Sequence, residues 1–262
     1  MEQTLSCPVM PDQEAPSAVP GNGISLYFRP GTRPSTDVIS ALMEAMADAD
    51  IMARITHRPP PQEGWLELIA SGLTFDLTGL TPAKSAISGD ILQYHGFDET
   101  PSCEELEVVE LSPGGHIAGG SGLLPVNRTM AGLATSLSLK LPVAAIGWRS
   151  AQTLMEPRYF ARIIVNWLAG GAFPALGLTA LLRSDDGSIS TKGLSRFVGR
   201  EMQLEGAVEE TPSDTLKLAI RMVDYLVRQG AFAESRVIDS PRGKLLLEPS
   251  QGGKQVWVWR QH

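Results

Sequence analysis

Val143-Ala144-Ala145-Ile146-Gly147-Trp148, followed after a short polar stretch by Glu156-Pro157-Arg158-Tyr159-Phe160, decides how this chain is read. The first six residues are almost wholly apolar, as expected of a short strand buried on both faces. Glu156-Pro157 then opens a helix, because proline's fixed φ suits the first helical position and its missing N–H costs nothing there. Tyr159, Phe160, Ile163, Ile164, Trp167 and Leu168 form one apolar stripe, and Gly170-Gly171 ends it. This spacing predicts a helix packed tightly on a sheet.

Upstream, residues 24–28 alternate and are rich in strand formers before Pro30 and Gly31 stop them. Thr36 stands as an N-cap before Val38, Ile39, Leu42, Met43, Met46 and Ala49, which lie along one side of a helix. Residues 53–57 predict a short strand ending at Pro59-Pro60-Pro61, and residues 65–77 a further strand-like stretch. Residues 79–105, rich in turn and acidic residues, read as a connection and a candidate boundary. Residues 107–111 and 116–124 predict strands. Met130, Leu133, Ala134 and Leu137 mark a helix over 127–141 that Pro142 closes.

Downstream, residues 175–183 are β-rich, and Asp185-Asp186-Gly187 supplies a tight hairpin turn before Ile189. Met202 and Leu204 alternate with Glu201, Gln203 and Glu205, the pattern of a strand with one wet face. Thr211, Pro212 and Asp214 start the last helix, whose stripe is Leu216, Ala219, Ile220, Val223, Leu226 and Val227 up to Gly230. Residues 235–238, 244–248 and 255–260 predict three short strands. The class is α+β, a mixed or antiparallel sheet packed with helices, and the two β-α-β stretches hint at a duplicated unit. We expect a mobile tail over 1–22, where Pro8, Pro11, Pro16 and Pro20 sit among few apolar residues, an N-terminal unit over 23–100 and a C-terminal unit over 101–262.

Among 262 residues, 43% are hydrophobic and 19% charged, which is globular composition with enough apolar surface for a sizeable core. The net charge is -7 and no run of Lys or Arg forms a stripe, so nucleic acid and anionic membrane are poor partners. Residues 1–20 lack the basic start and apolar run of about 7–15 residues of a signal peptide. The longest apolar stretch, 163–182, is broken by Gly170, Gly171 and Pro174. Cys7 and Cys103 are too few for a disulfide framework. Together these readings place the protein in the cytoplasm.

Ala145-Ile146-Gly147-Trp148, Pro157-Arg158-Tyr159-Phe160, the segment 176–183, Asp186-Gly187, Thr191-Lys192-Gly193-Leu194 with Phe197, and Tyr225-Leu226-Val227-Arg228-Gln229-Gly230 stand out together in the second half. On these residues it resembles a bacterial domain-of-unknown-function family, numbered 4261. The resemblance covers about residues 107–250. It implies a fold related to ferredoxin-like α+β sandwiches. It carries no reaction and no functional residue.

The candidate chemistry is sparse. Gly114-Gly115-His116-Ile117-Ala118-Gly119-Gly120-Ser121-Gly122 could bring backbone N–H groups to a phosphate, but it lacks the Lys and Ser/Thr of a Walker loop and the register of a dinucleotide site. The plainer reading is a glycine-rich strand beside bulky neighbours. His57, His95, His116 and His262 show no metal-ligand spacing, and no motif asks for a cofactor. Asp185 and Asp186 are explained by their turn, and Glu104, Glu105, Glu107 and Glu110 read as a solvated edge.

Trp148-Arg149-Ser150 could present polar groups at a strand end, where ligands often bind. Trp257 and Trp259 project opposite to Val256 and Val258 and form either an interface patch with Arg260 at its rim or that strand's share of the core. The leading reading is a non-catalytic protein- or ligand-binding module, a homodimer or partner of another bacterial protein, with His116, Arg128, Trp148, Arg149, Trp257 and Trp259 as candidate binding residues. One alternative is an enzyme with a noncontiguous site at His116, Arg128 and Arg149. Another is an immunity-type module that binds through the acidic segment 104–110.

Overall fold

In the computed structural model, which describes residues 22–45, 53–207, 210–241 and 243–261, the first expected strand is β1 (Ile24–Phe28), inside an eight-stranded sheet. The chain then runs through α1 (Thr36–Ala45), β2 (Ala53–His57), β3 (Trp65–Ala70), β4 (Leu73–Thr78), β5 (Gln93–His95), β6 (Glu107–Pro113), α2 (Leu124–Ser138), β7 (Val143–Trp148), β8 (Thr153–Met155) and α3 (Pro157–Leu168). The sheet order is β2-β3-β4-β6-β1-β7-β8-β5. All pairs are antiparallel except β5 with β8.

The inner four strands, β4-β6-β1-β7, alternate in direction, with α1 leading out of β1 and α2 joining β6 to β7. That is the strand order of one ferredoxin-like sandwich. The two β-α stretches that hint at duplication are the two halves of this single unit. The division expected at residues 100/101 therefore runs through the sheet and not between two sheets, since β6 lies between β4 and β1.

A second, six-stranded sheet follows: α4 (Ala175–Leu178), β9 (Ala180–Arg183), β10 (Ile189–Lys192), α5 (Ser195–Val198), β11 (Glu201–Leu204), α6 (Pro212–Gln229), β12 (Arg236–Ser240), β13 (Gly243–Pro249) and β14 (Gln255–Gln261). Its order is β12-β13-β14-β11-β10-β9, with β11 and β14 parallel. The two edges are stitched by Gln93, whose side-chain amide donates to Leu181 O (2.7 Å) and accepts from Leu181 N (3.2 Å), as another backbone strand would.

Strand alternation assigns the faces. Ile24, Leu26, Phe28, Val109, Leu111, Ile146 and Trp148 belong to one core that includes Met130, Leu133 and Ala134 of α2 and Phe160 and Ile164 of α3. The same core continues through Ala219, Val223 and Leu226 of α6 to Leu245, Leu247, Val256 and Val258 of the second sheet. Each large apolar side chain fully buried here stabilises the fold by about 2 kcal/mol. On the opposite face of the first sheet, Tyr27, Val108, Ala145 and Leu154 are covered by Ile91, Phe97 and Leu106 from the connection, which folds down as a lid on the sheet.

Several local expectations are corrected. Residues 65–77 are two strands, because Ser71 (φ 50) and Gly72 (φ 76) form a two-residue turn between β3 and β4. Residues 116–124 are not a strand: Gly115–Gly120 is a 3-10 turn and α2 starts at Leu124, since a glycine-rich run offers few side chains for sheet packing. Residues 175–178 form a tight turn with non-helical backbone at Leu176 (ψ 105) and Gly177 (φ 125), and only Ala180–Arg183 is strand. Ser35 rather than Thr36 caps α1, its Oγ accepting from Val38 N at 3.3 Å. Met46, Ala49, Cys7, His262 and the tail before Asn22 lie outside the described residues. Among those described, no helix is long and apolar enough to cross a membrane.

Candidate functional site

Two surfaces collect the residues that packing does not use up. The first is the outer face of the second sheet. Val256 and Val258 point into the core, so alternation turns Trp257 and Trp259 outward, where their rings stack with centroids 5.4 Å apart and planes 11° apart. Both are partly exposed and lie outside the core cluster. Register places Trp259 beside Leu246 and Leu246 beside Val237, which is 52% exposed, so the tryptophans extend an apolar row across three strands. Glu248 accepts from Trp259 Nε1 at 2.8 Å and fixes that ring. Arg260 turns away and forms a two-pronged pair with Glu210, at 2.5 and 2.7 Å, so it anchors the strand and is not a free rim charge.

The second surface is the polar part of the back of the first sheet. Ser25 and Tyr27 of β1 alternate with the core residues, and Glu110 of β6 faces Ser25 across the register. Ser25 Oγ donates to Glu110 Oε2 at 2.7 Å, and Arg149, just past β7, donates through Nη1 to Ile87 O (2.7 Å) and to Glu110 Oε2 (3.3 Å). Burial pushes the Glu110 carboxyl above its ordinary range, and Arg149 and Ser25 pull it back. Beside this pair is a cavity of about 190 Å³ lined by Tyr27, Gly89, Asp90, Gly147, Arg149 and Gln152, among others.

The remaining residues singled out in the sequence are dispersed. Trp148 is 1% exposed, stacked on Phe197 at 5.9 Å, and cannot touch a partner. Its strand alternation puts it in the core while the next residue, Arg149, emerges on the back. Arg128 of α2 donates to Trp167 O (3.3 Å) and Leu168 O (2.9 Å) and lies over the Trp167 ring, so it caps the C-terminus of α3. His116 is exposed in the 3-10 turn near Asp76. Among the described residues His116, Arg128 and Arg149 share no hydrogen-bond partner.

The glycine-rich segment is not the strand its plainer reading expects and is tight only at its ends, since a Cβ at Gly115 or Gly119 would meet nothing within 4 Å. A Cβ at Gly114 would meet Thr74 Oγ1 at 2.8 Å and one at Gly122 would meet Arg196 O at 3.0 Å. Arg196 clamps this segment through Asn127 Oδ1 (2.5 Å), Ser121 O (3.1 Å) and Asn22 Oδ1 (2.9 Å). The acidic segment is not one face either. Glu110 is buried, which corrects its reading as surface, Glu107 pairs with Arg33 at 3.4 Å, and only Glu104 and Glu105 are exposed.

Sequence reasoning missed Ser25, Tyr27 and Asp76 and misplaced Glu110 on the surface. The signal available was a polar residue within an otherwise apolar strand, as in Val108-Val109-Glu110-Leu111. Asp76, 5% exposed and directly opposite Glu67, has its carboxyl pushed up to about 6 by burial and by that neighbour, with His116 pulling the other way. Among the described residues no group of three His, Cys, Asp or Glu side chains is arranged to hold a metal ion. Compared with known protein families, curated proteins and solved structures, the chain matches none.

Proposed function

We propose that this chain is a non-catalytic binding module of the bacterial cytoplasm that takes a protein partner on the outer face of its second sheet. One observation carries the reading: the stacked Trp257/Trp259 pair, continued by Leu246 and Val237, lies on the face of the sheet opposite Val256 and Val258 and outside the core clusters of the described residues. Tryptophan is among the residue types most enriched at interface centres, and a stacked pair whose Trp259 ring is held by Glu248 loses little freedom on binding. The net charge of -7 without a basic stripe directs the reading to protein and away from nucleic acid. The kinship with family 4261 is likewise proposed, on the residues quoted above, and adds no activity.

The test compares the wild-type chain with a Trp257→Ala/Trp259→Ala variant in affinity capture from its native cytoplasm, with circular dichroism as the fold control. The reading expects a stoichiometric protein partner retained by wild type at low and high salt, because the contact is apolar, and lost by the folded variant. A partner retained equally by both would refute the placement of the surface.

A further inference from the structure

The cavity beside Arg149 is a second, independent feature. Its space is kept open by glycines: a Cβ at Gly147 would lie 3.0 Å from Tyr27 Cε2, and one at Gly89 3.7 Å from Arg149 Cζ. At about 190 Å³ it holds roughly six waters, taking ~30 Å³ for each. That limits an occupant to a small metabolite.

The charged groups define the chemistry of that occupant. Arg149 uses Nη1 for Ile87 O and Glu110, while its Nε and Nη2 have no hydrogen-bond partner among the described residues and lie 3.8 Å from the Cβ position of Gly89. Nε and Nη2 form the side-on fork of a guanidinium, whose geometry matches a carboxylate. Asp90, exposed in the cavity wall, offers a carboxylate, and Tyr27 Oη, bonded to Ser88 Oγ at 3.1 Å, keeps lone pairs that can accept. With Glu110 and Asp90 against Arg149 and against Lys192, whose Nζ donates to Gln152 Oε1 in the cavity wall, the site's charges balance. A simple anion leaves Asp90 without a counter-charge, a simple amine leaves the fork empty, and a molecule carrying both charges satisfies both ends.

We propose that this cavity binds a small zwitterionic α-amino acid, its carboxylate on the Nε/Nη2 fork of Arg149 and its ammonium on Asp90 and Tyr27 Oη. Full occupancy shields the Arg149–Glu110 pair from water and joins the connection, through Gly89 and Asp90, to the β7 end of the sheet. The site is separate from the Trp257/Trp259 surface, and neither proposal depends on the other.

Isothermal titration of the full chain with glycine, alanine and serine, beside acetate and methylamine, tests this directly. The expected Kd for at least one amino acid lies between about 10 µM and 1 mM, the range open to ligands of this size. Acetate and methylamine, each lacking one charge, are expected to bind at least about tenfold more weakly. Asp90→Asn, at an exposed position that leaves the fold intact, raises the amino-acid Kd about tenfold, and Gly89→Leu, which fills the cavity, abolishes binding with an unchanged circular dichroism spectrum. Absence of heat with all three amino acids up to about 10 mM, equal affinity for acetate and alanine, or an unchanged Kd in Asp90→Asn would each overturn the proposal.

Discussion

Trp148 at the end of β7 and the Trp257/Trp259 pair on β14 are the same residue type on strands of similar pattern, and the fold uses them in opposite ways. Trp148 sits under α5 against Phe197, with 1% of its surface exposed. Trp257 and Trp259 stack on each other on the side of their sheet that faces away from the core. The difference lies in what covers each face: the first sheet has α2 and α3 on one side and the connection on the other, whereas among the described residues the outer face of β14 joins neither hydrophobic core cluster. Burial turns an aromatic residue into stability. Exposure leaves it for contact.

The largest expected effect is on the buried side. Trp148→Ala removes a core aromatic and costs about 4 kcal/mol, read as a fall in the urea midpoint. Arg149→Met tests the back of the same sheet: it leaves Glu110 buried without its cation and costs about 3 kcal/mol at pH 8. The deficit shrinks at low pH, because protonating Glu110 removes the charge that has lost its partner, so the urea midpoint measured at pH 4 lies closer to wild type. An equal deficit at both pH values would contradict the charge account.

On the partly exposed side, Trp257→Ala/Trp259→Ala together cost about 2 kcal/mol, less than Trp148→Ala, since both rings already keep part of their surface in water. A loss as large as that of Trp148→Ala would mean that the second sheet is covered on both faces and would erase the contrast. The smallest effect concerns Asp76, whose carboxyl is raised from 3.8 to about 6 in the folded chain. A raised acid binds its proton more tightly when folded, so its ionisation costs stability as pH climbs through that window. Asp76→Asn is accordingly expected to gain about 1 kcal/mol at pH 8, after allowing for solvent screening of the Glu67 pair, and nothing at pH 3.5, by urea denaturation at each pH.

Where the local pattern was strong, the elements were legible in the sequence. Glu156-Pro157 opens α3, with Glu156 accepting from Tyr159 N at 2.7 Å, and Thr211 caps α6 by accepting from Asp214 N at 3.2 Å. Gly187 closes the β9–β10 turn at φ 78. What the sequence hid was pairing over distance. Nothing in residues 107–113 says that β6 inserts between β4 and β1, so a boundary drawn at 100/101 cuts a sheet held by long-range hydrogen bonds.

The candidate site was legible in part for the same reason. Trp257, Trp259 and Arg149 stood out by type and position. Glu110 did not, because only the fold brings Ser25 and Arg149 to it. Arg128 misled because a guanidinium that caps α3 looks, in one dimension, like one that waits for a ligand. Alternation separates the faces of β14 but does not say which face is covered.

The most direct test of the central claim is photocrosslinking in the cells of origin, with benzoylphenylalanine placed at Leu246, beside Trp259, or at Val165, which is 55% exposed on α3 away from the second sheet's outer face. The account predicts a discrete crosslinked protein species from position 246 that disappears in the Trp257→Ala/Trp259→Ala background, and none from position 165. No adduct from position 246, or the same adduct from both positions, would contradict it.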